Sequence, residues 1–196
     1  MLASEPVSAG ILETTGNIDV VAPPATVAYQ QNESAERGIV FPERVAITEG
    51  FKFDLGPVIG VYDEASDLAG LDSFTSGDPP VNSYFFHADT TFGVVAVNGT
   101  IRFDEPIFAI ALSEVRLSQT DGLAGAPATT YSPFTPRGLE FDFGDQIEII
   151  DAYTIGLAIA SSNGLDQVRI FTLPEPVSAT ALAPLVCVVG RRRRAG

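Results

Sequence analysis

The sequence predicts an all-β protein: an antiparallel β-sandwich, jelly-roll-like, with a short apolar helix at the C-terminus. Three observations carry this reading. Short apolar or alternating runs follow one another from Gly38 to Thr172, each bounded by turn residues. The chain holds 14 Pro and 18 Gly, which interrupt helices but suit closely spaced strands. No window before Pro174 repeats its apolar positions every 3.6 residues over a helical length. With 196 residues, 45% hydrophobic and 13 Phe, one packed domain is expected and wholesale disorder is not.

Taken in order, Met1 to about Gln31 carries Pro23-Pro24 with Thr, Ser, Asn and Gly. Residues 1–37 thus read as a leader or a loosely packed first strand. Residues 38–173 form the sandwich. Its first strands are Gly38–Phe41, Arg44–Thr48, Phe51–Leu55 and Val58–Tyr62. Asp63 to Asn82 is polar and holds Gly77-Asp78-Pro79-Pro80, so it reads as a long loop. Ser83–Ala88, Phe92–Val97, Thr100–Asp104 and Ile107–Ser113 then follow with minimal gaps. Asn98-Gly99 predicts a tight hairpin between the middle two. Gln119 to Pro136 reads as a second polar loop. Leu139–Phe143, Gln146–Ile150, Thr154–Ala160 and Gln167–Thr172 close the body. Phe51 to Asp54 and Glu140 to Phe143 alternate apolar with charged, as half-buried strands do.

Charge is divided along the chain. Lys+Arg number 11 and Asp+Glu 25. Four of the basic residues are Arg191, Arg192, Arg193 and Arg194. Without residues 174–196 the body keeps 7 basic and 24 acidic residues, a net charge of −17. Such a body repels phosphate, so nucleic acid is not an expected partner. One His, one Cys and no Trp exclude a His-based metal cluster, an internal disulfide framework and a zinc finger. The single Cys187 lies in the tail, so the body has no thiol to oxidise outside a cell.

Residues 174–196 read as a membrane address. Val177 to Gly190 is 14 residues without a charged side chain, followed directly by the Arg cluster. A full span needs roughly 20 apolar residues, so this is a marginal anchor. The Arg cluster would hold it in the membrane with the cluster on the cytoplasmic side. Pro174, Glu175 and Pro176, the apolar run and then Arg191 to Arg194 together resemble the PEP-CTERM sorting signal. The resemblance implies export and recognition by an exosortase in the inner membrane. It implies processing near Pro174–Pro176 and residence at the cell surface or in an exopolysaccharide matrix. The chain opens MLASEPVSAG, without a basic or apolar leader, so export implies either a start codon upstream of the assigned one or a missing part of the gene.

A second resemblance covers the body. Val81 to His87, Gly99 to Ile107, Arg137 to Glu140 and Asp166 to Arg169 are similar to a domain of exported PEP-CTERM proteins that has no established activity. No catalytic residue follows from it.

Several constellations call for a reading of their own. His87 is the only His and ends a strand. No Gly-x-Ser-x-Gly elbow accompanies it, so a hydrogen-bonded structural His is expected. Glu140 and Asp142 would share one face of a strand, as the paired carboxylates of a glycan-cleaving enzyme require. The alternative is an acidic solvent face. Asp63, Asp67 and Asp72, with Glu64 and Asp78, crowd the first loop. They are the candidate ligands for a structural calcium, against a plain solvated loop. Asp142, Asp145 and Asp151 form a second acidic group. Arg169 is expected to pair across strands with an acid such as Glu140. Tyr62, Tyr84 and Tyr131 would stack on sugars or fill core and rim positions. The functional expectation is a non-catalytic exported protein, structural or carbohydrate-binding, with extracellular polysaccharide as a partner. The alternatives are a jelly-roll glycan-cleaving enzyme and a cytosolic acidic protein whose tail matches by chance.

Overall fold

The computed structural model describes residues 10–29, 37–68, 73–75, 78–89, 94–133, 137–162 and 165–174. In chain order the strands are β1 (Ile11–Thr14), β2 (Ile18–Val20), β3 (Thr26–Val27), β4 (Gly38–Pro42), β5 (Phe51–Lys52), β6 (Gly60–Tyr62) and β7 (Ser73–Phe74). They continue as β8 (Asn82–Asp89), β9 (Val94–Phe103), β10 (Ile107–Ala111), β11 (Thr130–Tyr131), β12 (Gln146–Asp151), β13 (Thr154–Ser162) and β14 (Leu165–Thr172). One α-helix, α1 (Glu114–Ala124), lies between β10 and β11.

Ten strands make two five-stranded sheets. The first has the order β1-β9-β13-β12-β6 and the second β10-β14-β8-β4-β2. Apart from the β12–β13 hairpin and the step from β2 to β4, successive strands of the two sheets lie in opposite sheets. The protein is an all-β sandwich. Val97, Ile101, Ile147, Ile149, Ile155, Leu157 and Ile159 from the first sheet meet Val40, Tyr84, Phe86, Ile110, Val168 and Ile170 from the second. The segment before Gly38 contributes an edge strand to each sheet, β1 beside β9 and β2 beside β4.

Several local expectations are overturned. Asn98-Gly99 makes no turn. Both residues lie inside β9, which pairs continuously with β13 from Val94↔Ser162 to Arg102↔Thr154. The glycine serves close approach: a Cβ on Gly99 would sit 2.2 Å from the carbonyl oxygen of Thr15. The chain turns instead at Gly16, which has φ +69° and lies against the Asn98 carbonyl. Arg44–Thr48 forms only an isolated bridge, Ile47 to Val81, because Ala46 is left-handed at φ 56°. Its N–H goes to Asn82 Oδ1 at 2.9 Å instead of to a ladder.

The start of the second polar loop is helix α1. Ser113 caps it, accepting the Arg116 N–H, and the Gly125 N–H closes it on the Asp121 carbonyl. Its buried face includes Arg116, Leu117, Thr120 and Ala124, so no apolar stripe marks it in the sequence. Leu139–Phe143 is no strand either. Phe141–Phe143 is a 3-10 turn, closed by bonds from Phe143 N–H to the Glu140 carbonyl and from Gly144 N–H to the Phe141 carbonyl. The first long loop likewise contains a 3-10 turn at Ala65–Leu68 and strand β7, which pairs with β5.

The predicted C-terminal helix, Glu175, Pro176 and Arg191 to Arg194 lie outside the described residues; Pro174 lies at their C-terminal limit. Among the described residues no helix is long and apolar enough to cross a membrane.

Candidate functional site

The two outer faces of the sandwich differ in kind. On the second sheet, β8 and β14 are buried along their whole length, so both faces are covered. Phe41, Phe85, Val27 and Leu117 pack together on the outer side, beneath α1 and β3. Under the same cover lies a network of charged and polar groups.

Arg169 is its hub and is fully buried. A guanidinium has five N–H donors, and all five are used. Nε donates to Glu43 Oε2 at 2.7 Å. One terminal nitrogen donates to Thr120 Oγ1 and to the Leu117 carbonyl. The other donates to Glu43 Oε1 at 2.9 Å and to Asp121 Oδ1 at 3.1 Å. The guanidinium carbon also lies 4.8 Å from the Phe85 ring centroid and 5.2 Å from that of Tyr131. Burial opposes the Arg169 charge, but Glu43 and Asp121 outweigh it and hold the group protonated. Glu43 in turn accepts from the hydroxyls of Ser83 and Tyr131. Burial, then the Glu43 charge, pushes the Tyr131 hydroxyl up.

Asp121 bridges to a second buried cation, Arg137. Arg137 Nε donates to Gln167 Oε1 at 2.8 Å, which fixes the amide so that its nitrogen faces His87 Nδ1 at 3.1 Å. The same nitrogen donates to the Val27 carbonyl at 3.0 Å. His87 therefore accepts on Nδ1 and carries its proton on Nε2, a buried atom without a hydrogen-bond partner among the described residues. Burial, then the Arg137 charge, lowers its pKa to about 3. The imidazole stays neutral and 1% exposed. Two guanidiniums and two carboxylates make the network neutral overall, with Asp121 shared between the cations.

The structure thus gives Arg169 other partners than expected: Glu43 and Asp121 in place of Glu140. Sequence reasoning missed Glu43, Asp121, Gln167 and Arg137 as a network. The available signal was the alternation Gln167-x-Arg169-x-Phe171 on a strand of a body with seven basic residues.

Several of the candidate carboxylates are engaged by backbone N–H groups. Asp67 Oδ2 accepts the N–H groups of Asp63 and Glu64, both at 3.2 Å, and so closes its own loop. Asp72 lies outside the described residues. Among the described residues no three metal-ligating side chains come together. Asp145 accepts the Glu140 and Ala160 N–H groups, and burial raises its pKa against those bonds. Asp151 accepts the Tyr153 N–H, which lowers its pKa. Glu140 precedes a 3-10 turn, so the shared strand face that would have paired it with Asp142 is lost. Of the tyrosines, Tyr84 is buried in the core and Tyr62 donates to the Val58 carbonyl at 2.6 Å.

The outer face of the first sheet is open. Ala96, Asn98, Thr100, Gly156, Ala158, Ala160, Gln146 and Glu148 alternate with core residues, and none of them is fully buried. Gly99, Thr100, Gln146, Glu148, Ile150 and Gly156 line much of a shallow depression of about 190 Å³ there. A second hollow, of about 310 Å³, lies at one end of the sandwich between the two 3-10 turns.

Known proteins add nothing to this geometry: no family model, curated protein or solved structure matches the chain.

Proposed function

We propose that this chain is a non-catalytic, exported β-sandwich of the cell envelope or extracellular matrix. It faces polysaccharide with its first sheet. Residues 174–196 act as the sorting segment, read by an exosortase in the inner membrane. The observation that carries the reading is the contrast of the two faces. The reactive side chains (His87, Arg137, Arg169, Glu43) are buried and committed to one another. The depression on the accessible face offers small residues, one amide and one carboxylate around a glycine floor. A flat floor of that kind accepts the face of a sugar ring. Gln146 and Glu148 can bond its hydroxyls from the rim. A calcium held by exposed carboxylates would bridge the acidic body to anionic polysaccharide.

Affinity electrophoresis in gels containing neutral or anionic bacterial exopolysaccharide tests the binding half. Gly156→Leu fills the depression, since a Cβ there meets only ordinary contacts at 3.4 Å and beyond. Retardation of the wild type that Gly156→Leu abolishes supports the reading; equal mobility of both overturns it. Intact mass of the protein from cell fractions tests the sorting half. A species ending near Leu173 to Pro176 in the envelope or medium is expected. A full-length cytosolic species still ending in Arg191 to Gly196 defeats it.

A further inference from the structure

The hollow between the 3-10 turns has a character the depression on the first sheet lacks. Its lining is Ala65, Leu68, Leu139, Glu140, Phe141 and Phe143. At about 310 Å³ it lies at the small end of ligand pockets. Leu68 and Leu139 pack on the main core, and Phe141 is buried, so the floor is fixed. Phe143 is 67% exposed although it is among the largest apolar side chains in the protein. Core packing does not account for it.

Both walls are held in place by their own hydrogen bonds. Asp145 ties the Glu140 N–H at 2.8 Å and the Ala160 N–H at 2.9 Å, which anchors the Glu140–Phe143 turn to β13. Gly144, at φ +94°, ends that turn in a conformation a side chain would strain. Opposite, Asp67 holds the N–H groups of Asp63 and Glu64. The aromatic platform and the hollow are therefore preorganised.

The charged residues of the two turns that line the hollow have one sign. Its lining comes from two stretches of chain, residues 65–68 and 139–143, and neither contains a Lys or an Arg. These stretches carry Asp67, Glu140 and Asp142, of which Glu140 lines the hollow itself. An anion would be repelled, and a neutral apolar ligand would leave the carboxylate to be desolvated beside it. A cation with an apolar body satisfies both features. Its charge meets Glu140 and the face of the exposed ring, and its body covers the leucines.

We propose that the hollow between the Ala65–Leu68 and Phe141–Phe143 turns binds a small organic cation, with Glu140 as counter-ion and Phe143 as cation–π platform. This site is separate from the first-sheet depression and does not depend on the polysaccharide reading.

The test is a ligand-observed NMR titration of the whole chain with hexyltrimethylammonium, hexanol and hexanoate, which share one apolar body and differ in charge. The ammonium is expected to bind at least tenfold more tightly than hexanol, with hexanoate weakest. Glu140→Gln should reduce that preference to the few-fold the ring supplies, and Phe143→Ala should weaken the ammonium about fivefold. Each variant should keep the wild-type melting temperature within a few degrees, because neither side chain belongs to the buried core. Gly156→Leu, which tests the other face, should leave ammonium binding unchanged. Hexanol binding as tightly as the ammonium would show an apolar hole without charge selection and overturn the proposal. So would undiminished ammonium binding by Glu140→Gln, or no binding of any probe.

Discussion

The covered face of the second sheet and the open face of the first solve opposite problems. The covered face holds two arginines, a glutamate, a glutamine and a histidine away from water, with Asp121 at its margin, and meets the cost of burial with paired charges and the saturated donors of Arg169. The open face holds small residues and needs only alternation, since water satisfies whatever the strands leave over. The difference shows where side-chain identity is constrained. On the covered face one lost group leaves its partner charged and dry. On the open face one changed group meets solvent.

The contrast breaks most sharply at the hub. Arg169→Met should leave Glu43 buried without its cation and cost about 3–5 kcal/mol, read as a lower denaturant midpoint. Adding Glu43→Gln should restore part of that loss, because a neutral amide is cheaper to bury than an orphaned carboxylate. If Arg169→Met alone costs nothing, the network does not stabilise the fold.

Acid should find the same face next. The folded pKa of His87, about 3, lies below the unfolded value of 6.5, so the unfolded chain binds the extra proton. The contribution from neutral His87 is complete above pH 6.5 and is lost as pH falls toward 3, roughly 2–3 kcal/mol of it by pH 4.5. The difference in unfolding free energy between wild type and His87→Leu, followed from pH 7 to pH 4, isolates it. A difference that does not change with pH would mean that His87 titrates alike in both states.

Smaller effects sharpen the comparison on backbone grounds. Gly99→Ala drives a methyl toward the Thr15 carbonyl and should cost about 1–3 kcal/mol, although it sits on the open sheet. Ser113→Ala removes the α1 cap, which also donates to Asp54, and should cost about 1 kcal/mol. Glu148→Gln on the open face should stay within roughly ±0.5 kcal/mol by thermal melting. A large loss there would mean that the face is not free.

Much of the fold was legible where packing obeys a period. β12 and β13 alternate between core and surface, and the sequence places both within two residues of their observed ends. The failures have a common cause in partners distant along the chain. Asn98-Gly99 carries the local signal of a hairpin. Its neighbours are β13, about sixty residues on, and the Thr15–Asn17 turn, about eighty residues back, and these hold it extended. Helix α1 stayed hidden because its inner side meets charge, so Thr120 and Asp121 stand where an apolar stripe would have announced it. Of the candidate groups, Glu140 is placed beside the hollow by a turn rather than a strand, and its neighbour Phe143 is notable only for standing exposed.

The sequence by itself determined the class of the fold, the acidic body and its division from a basic, apolar tail, since composition and local periodicity need no partner. Tertiary structure alone decided which acids meet which arginines, which of the two sheets is left open, and that two short turns enclose a hollow. Each of these depends on residues far apart in the chain being brought within a few ångströms, and no local pattern encodes that distance.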